Sequence, residues 1–333
     1  MSGAQLVAAV PGVAVVAIGR NEGERLRACL GSVINAAALV VYVDSGSSDC
    51  SVALAHSLGA HVVELDMSVP FTAARARNVG WRRVRDLNPD LLLVQFVDGD
   101  CAVVDGWIKL AHDFLSEHPG VVAVCGRRRE RHPERSVYNL LCDLEWDAPV
   151  GETRACGGDV MLRVAALEAV GGYRDSLIAG EEPELCVRLR AAGWCIWRLK
   201  AEMTAHDAAM TRASQWWKRS MRTGFTYAEG AHLHGAPPER HCVRESRRAW
   251  VWGLGLPALV TAGSLFSSPW WLAGLAIYPM QVLRLYVGFP GPARGRAPRA
   301  VFLVLGKFAE VAGQLKFFAL HWSGRKAHLI EYK

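Results

Sequence analysis

The stretch LLLVQFVDGDCAVV, Leu91 to Val104, decides the fold. Its continuous apolar run suits a strand covered on both faces. It ends in Asp98 and Asp100, with only Gly99 between them. Ligands of open α/β sheets bind outside the carboxyl ends of the strands, so this pair stands where a ligand is expected. Two carboxylates so close repel each other unless something positive sits beside them. A hard divalent cation such as Mg²⁺ or Mn²⁺ meets that need, because it takes carboxylates together with phosphate oxygens. Turns also use Asp freely. It is the preceding apolar run that gives this pair its weight.

Outward from that stretch, short β-rich runs alternate with helical patterns. Val13–Ile18 predicts a strand, Asn21–Val33 a helix, Val40–Asp44 a strand, and His61–Leu65 a third strand. Ser48 and Asp49 offer caps to a helix ending near Leu58, with Gly59 just past its end. Thr72–Val84 predicts the helix before the opening stretch. Such alternation with short connections predicts an α/β domain with a mostly parallel central sheet. Asp44, like the Asp98/Asp100 pair, falls at a strand end. A dinucleotide-binding fold would place G-x-G-x-x-G after the first strand, and AIGRNEGERL does not have that spacing.

The chain has 333 residues, 51% of them hydrophobic, including 12 Trp, and a net charge of +6. That mild excess implies no nucleic-acid partner. The nine cysteines are odd in number and contain no CxxC pair, which argues for thiols in a reducing compartment and against a disulfide framework or a cysteine-ligated zinc. The first residues lack the pattern of a secretory leader, so export is not expected.

Near residue 236 the composition changes. Glu239–Arg248 carries four arginines, and Ala249–Leu283 carries no charged residue at all. The Ser267-Ser268-Pro269 break predicts two packed apolar helices, a hairpin over about 249–288. A second basic loop, Gly291–Arg299, follows it. Arginines on both sides fit the positive-inside rule with both ends cytoplasmic, and since each arm is short for a full span the hairpin is either spanning or re-entrant. Val301–Trp322 contains Lys307, Glu310 and Lys316 and predicts an interfacial helix over about 300–322. The expected organisation is therefore a domain over 1–235 and a helical membrane-associated region over 236–333.

In AGEEPELCVRLRAAGW, Ala179 to Trp194, Pro183 marks a first helical position and Gly193 the end. Glu181 and Glu182 then stand at the helix mouth behind a flexible Ile178-Ala179-Gly180. One carboxylate there is ordinary capping. A second is available as a general base, and the helix N-terminus is expected to keep it ionised at neutral pH.

Taken in order, AIGRNEGERLRACLGSV, VDSGSSD (Val43–Asp49), ARARNVG (Ala74–Gly80), VDGD (Val97–Asp100), CGGDVMLR (Cys156–Arg163) and VGGYRDSLIAGEEPEL (Val170–Leu185) resemble the family 2 glycosyltransferases of GT-A fold, from about Val13 to Gly230. The resemblance implies a nucleotide-sugar site made by Asp44, Ser45, Arg77, Asn78 and Asp98. It implies a divalent cation, Mg²⁺ or Mn²⁺, on Asp98, Asp100 and His206. Glu182 takes the place of the catalytic base and Glu181 that of the acidic residue before it. Trp146, Gly157, Gly158, Asp159 and Trp216 fall on the acceptor side. The basic run Gly126–Arg135 is read either as part of the acceptor or diphosphate side or as a solvated loop. The implied reaction is inverting and metal dependent, with a hydroxyl of a lipid-linked or envelope glycan as acceptor, at the cytoplasmic face of the inner membrane. QWWKR, Gln215 to Arg219, is only similar to the Q-x-x-R-W of processive members, so transfer of a single sugar is expected. The competing expectations are a nucleotidyltransferase on a related sheet and a non-catalytic membrane scaffold with a degenerate GT-A domain.

Overall fold

The structure, a computed structural model, describes residues 9–291 and 293–324. The chain divides into two compact units. The first holds Glu145–Ala208 and the chain up to Arg131; the second holds His132–Leu144 and the chain from Ala209 on.

The first unit is built on a nine-stranded sheet. Its strands are β1 (Val10–Gly19), β2 (Ala37–Asp44), β3 (His61–Glu64), β4 (Leu93–Asp98), β5 (Cys101–Val103), β6 (Val121–Glu130), β7 (Gly151–Glu152), β8 (Val160–Arg163) and β9 (Cys195–His206). They run in the order β3-β2-β1-β4-β8-β6-β9-β5, with β7 beside β9. The half β3-β2-β1-β4 is parallel throughout, as is the pair β6/β9. Strands β5, β7 and β8 run antiparallel to their neighbours. The parallel half is the half expected from the sequence. Its middle strands are buried along most of their length, Val13–Ala17 and Val40–Val43 among them, because helices cover both faces. Register sets Gly19 beside Asp44 and Ile18 beside Asp98, so the acidic strand ends share one edge of the sheet.

Three local expectations need correction. The helix behind the acidic pair Glu181-Glu182 spans Glu181–Ala191, so Pro183 is its third residue and not its first. The preceding Ile178-Ala179 is no flexible lead: both side chains are buried, and Gly180, at φ 76°, makes the turn into the helix. The basic run is not one solvated loop either, because Gly126–Glu130 completes β6.

In the second unit the helix Ala213–His234 packs on a long helix, Ala293–Trp322. A continuous rod, Val243–Phe266, passes through a single π-turn at Val251–Gly255. The Ser246 hydroxyl donates to Gln314 at 2.7 Å and ties the rod to the long helix. The break at Ser267–Ser268 is present, but a 3₁₀ segment, Pro269–Ala276, separates the rod from the next helix, Ile277–Gly288. The long helix begins at Ala293, so most of the second basic segment is helical and not a loop.

Candidate active site

Arg77 is the centre of this site. It lies on the helix Ala73–Leu87, whose start is fixed by the Thr72 hydroxyl accepting from the Arg75 amide at 3.1 Å. Its guanidinium is 2% exposed. One nitrogen meets Asp98 at 2.8 Å, and the other meets Glu181 at 2.8 Å and Glu182 at 2.9 Å. A single buried cation thus joins the acidic end of β4 to the acidic start of the Glu181–Ala191 helix. Gly158 makes room for this: a Cβ there would stand 2.5 Å from the Arg77 guanidinium and 2.9 Å from the Asp98 carboxylate. Gly157, next to it, faces open space.

Asp98 is held from the other side by Arg128, whose guanidinium reaches it at 3.1 Å. Arg128 also meets Asp159 at 2.8 Å, while Asp159 accepts from the Asp98 amide at 3.0 Å and from the Thr204 hydroxyl at 2.6 Å. Burial alone would push the Asp98 carboxyl up, but Arg77 and Arg128 outweigh it and hold the group well below the usual carboxylate range. The positive charge that the Asp98/Asp100 pair required is therefore supplied, on the Asp98 side, by two arginines.

On the Asp100 side the neighbour is His206, whose Nε2 lies 3.3 Å from the carboxylate. The other ring nitrogen lies 3.2 Å from Glu130, which also accepts from the Ala208 amide at 3.0 Å. Trp146 packs edge-on to the imidazole, 4.8 Å between centroids, and lies under Arg128 at 5.4 Å. Asp100, His206 and Glu130 are all buried. A histidine held by a carboxylate on one nitrogen, with the other turned toward a second carboxylate, is an arrangement that suits a metal. Asp100, Cys101 and His206 do bring ligand atoms within 4.8 Å of one another, as do Asp98, Cys101 and Asp159. Burial pushes the Cys101 thiol well up, which keeps it protonated and a poor ligand. The second group is further disfavoured because Asp159 is already saturated. Asp100 and His206 remain, an oxygen and nitrogen set fit for a divalent cation.

Glu182 is the most open acid on the Glu181 side, with 13% of its side chain exposed against 4% for Glu181. Burial and the neighbouring Glu181 raise its pKa to about 7, against the opposing pull of Arg77. This corrects the expectation of an acid fully ionised at neutral pH. The helix start does not offset desolvation beside a like charge.

The remaining predicted residues fall into three groups. Asp44 is 1% exposed, and its carboxylate accepts from the Tyr42 hydroxyl and from Gly46 and Ser47, closing the turn after β2. Ser45 is buried beside it, its amide donating to the Gly19 carbonyl at 3.0 Å. Asn78 uses its whole amide within the domain: it donates to Tyr173 and Asp175 and accepts from the Tyr173 amide and the Trp81 indole. That makes it a clamp between its helix and the Tyr173 loop. Trp216 belongs to the second unit, where it packs on Phe302 at 4.8 Å. Arg128, Glu130 and Thr204 are the residues sequence reasoning missed. Arg128 and Glu130 are two apart and so share one face of β6, a signal hidden among five charged neighbours.

Residues 14–152 match the family described as Glycosyl transferase family 2. No curated protein matches the chain. Among solved structures, the mannosyltransferase PcManGT from Pyrobaculum calidifontis, in complex with GDP-Man and Mn²⁺, is similar over 92% of this chain and 87% of that one. The pair has a TM-score of 0.61 and 18% identity. Glucosyl-3-phosphoglycerate synthase from Mycobacterium tuberculosis covers 68% of this chain and 80% of its own, at a TM-score of 0.46 and 19% identity. The first of these shows a shared fold, with its mostly parallel sheet. The family match covers the segment that carries Asp44, Arg77 and the Asp98/Asp100 pair, and the chain has the α/β fold of the GT-A glycosyltransferases.

Proposed function

We propose that this chain is an inverting glycosyltransferase that moves a single sugar from a nucleotide-diphosphate sugar to an acceptor hydroxyl at a membrane surface. The observation that carries the reading is the Arg77 bridge, which puts the Asp98 carboxylate and Glu182 on one guanidinium. A group that meets the donor and a group able to take a proton are thereby fixed a side chain apart.

In this reading Glu182 is the general base. With a pKa of about 7 it accepts the proton of the attacking hydroxyl at neutral pH and is not so acidic that the transfer is unfavourable. Arg77 holds it in place, and burial with the neighbouring Glu181 raises its pKa against the pull of Arg77. Asp100 and His206 hold a divalent cation, Asp98 lies beside them, and Glu130 orients the imidazole. The chemistry a cation supplies there is neutralisation of the charge on the departing diphosphate. Asp44 and Ser45 shape the turn that meets the nucleoside, and Trp146 borders the His206 side. The second unit supports the location. Its rod Val243–Phe266 is long and apolar enough to cross a membrane, and little of it is buried in the protein. Leu265, Phe266, Trp270 and Met280 are all exposed. That exposed apolar surface supports a lipid-linked or envelope glycan acceptor on the cytoplasmic face.

The test is calorimetric titration of the detergent-purified full chain with a panel of nucleoside diphosphates, with and without Mn²⁺, beside Asp100→Ala. Binding of one nucleotide that requires the metal and is lost in the variant is the expected result. Failure of a folded protein to bind any nucleotide would overturn the reading.

A further inference from the structure

The second unit carries a charged feature that transfer chemistry does not use. A cleft of about 350 Å³ is lined by Arg240, Arg244, Arg247, Arg248, Val251 and Trp252, among others. Arg244, Arg247, Arg248 and Val251 follow one another at helical spacing along one face of the rod. All four arginines are exposed, and among the described residues none of their guanidinium groups has a carboxylate or other side-chain partner. This is unlike the first unit, where Arg77 and Arg128 each bridge two or more carboxylates. The chain reaches the cleft through Arg240 and Cys242, held at φ 48° and 56°, and leaves it through the π-turn Val251–Gly255. Left-handed backbone at non-glycine residues and single π-turns both gather at functional sites.

We propose that this cleft binds the phosphate headgroup of a membrane lipid, an assignment that rests on the membrane-surface reading above. Three observations select that ligand. Guanidinium forks match phosphate oxygens bidentately, and four of them line this cleft, outnumbering Glu239 and Glu245 of the same segment. The cleft opens at Val251 and Trp252 directly onto a segment without charge, Ala249–Leu283, with Leu254, Leu259, Leu265 and Phe266 exposed along it. From Val251 to Phe266 the rod advances roughly 22 Å at ~1.5 Å per residue, which fits within a hydrocarbon core of ~30 Å when the arginines stand at headgroup level. A soluble phosphate would explain the arginines but not the apolar continuation. A nucleic acid would not explain it either.

Flotation of the full chain with vesicles of phosphatidylcholine alone, and of phosphatidylcholine with phosphatidate, tests the assignment. Phosphatidate should strengthen binding by at least about tenfold, and Arg244→Gln with Arg248→Gln should weaken phosphatidate binding by roughly thirtyfold, at about fivefold for each arginine. The paired change to Lys keeps the charge and removes the fork, and it should lose most of the preference for phosphatidate. Unchanged circular dichroism and thermal midpoint establish that the variants fold. A Lys variant that binds like the parent would overturn the cleft in favour of diffuse attraction, and displacement by inorganic phosphate at matched ionic strength would assign it to a soluble ligand. Equal binding to both vesicles would remove the cleft and leave the membrane reading standing, whereas no binding to either would remove the membrane reading itself.

Discussion

The two units handle charge in opposite ways. In the first, charged side chains are buried and paired: Arg77 serves three carboxylates, Arg128 serves two, and His206 lies between two more. In the second, four arginines stand in solvent without carboxylates, and large apolar side chains such as Phe266 and Trp270 are 88% and 85% exposed. A buried charge network is stable only when each member keeps its partner, so the first unit is self-sufficient and intolerant of change. Unpaired surface charge beside exposed apolar surface has no such internal logic and points to an outside surface that completes it. Substitutions in the two regions should therefore differ in kind.

The largest effect falls on chemistry. Glu182→Gln keeps the shape and removes the base, and should lower kcat by roughly 10²–10⁴-fold with little change in donor binding. In the parent, kcat/KM should rise with pH and level off above about 7, the pKa to which burial and Glu181 lift Glu182, and the variant should lose that limb. Stability moves the other way. A carboxyl raised from 4.5 to about 7 stabilises the fold fully below 4.5, and that contribution disappears as the pH rises through 7. The parent should then lose thermal stability relative to Glu182→Gln over this window. A pH-independent difference would show that Glu182 titrates normally.

Next is Arg77→Ala. It leaves Asp98, Glu181 and Glu182 facing one another without a cation, and should cost ~3–5 kcal/mol in denaturant unfolding, as removal of one partner of a buried ion pair does. Arg248→Ala in the second unit should stay within ~0.5 kcal/mol, since its side chain is exposed and unpaired. Similar losses for both would erase the distinction between the units.

Much of this distinction could be read in the sequence, but unevenly. Continuous apolar runs, two of them ending in acids, revealed β1, β2 and β4, because strands buried on both faces leave an unbroken hydrophobic signature. The change in composition near residue 236 was visible too, but the second compact unit begins at Ala209 and takes in His132–Leu144. β6 was hidden, since three of its residues are arginines and strand signals rest on apolar alternation. The partners that make the site work were invisible for a related reason. Arg77 meets Glu181 across 104 positions of chain, and His206 meets Glu130 across 76, contacts that only the sheet order creates. Asn78 shows the converse: its residue type suggested ligand binding, but its surroundings use the amide completely.

The smallest catalytic effect that still tests the comparison lies at Glu130. This residue touches neither donor nor acceptor in the proposed reaction, and acts only by holding Nδ1 of His206. Glu130→Gln keeps an acceptor for the Ala208 amide and the volume, but weakens the hold on the imidazole. Metal affinity should fall by about 10–100-fold, the usual cost of losing such a support. Because the lesion is in metal affinity, saturating Mn²⁺ should restore most of kcat, whereas no concentration of metal should rescue Glu182→Gln. Titration of Mn²⁺ against activity separates the two. If Glu130→Gln binds Mn²⁺ as the parent does, the imidazole is oriented by its place on β9 and by Trp146, and the buried pairing in this unit serves stability alone.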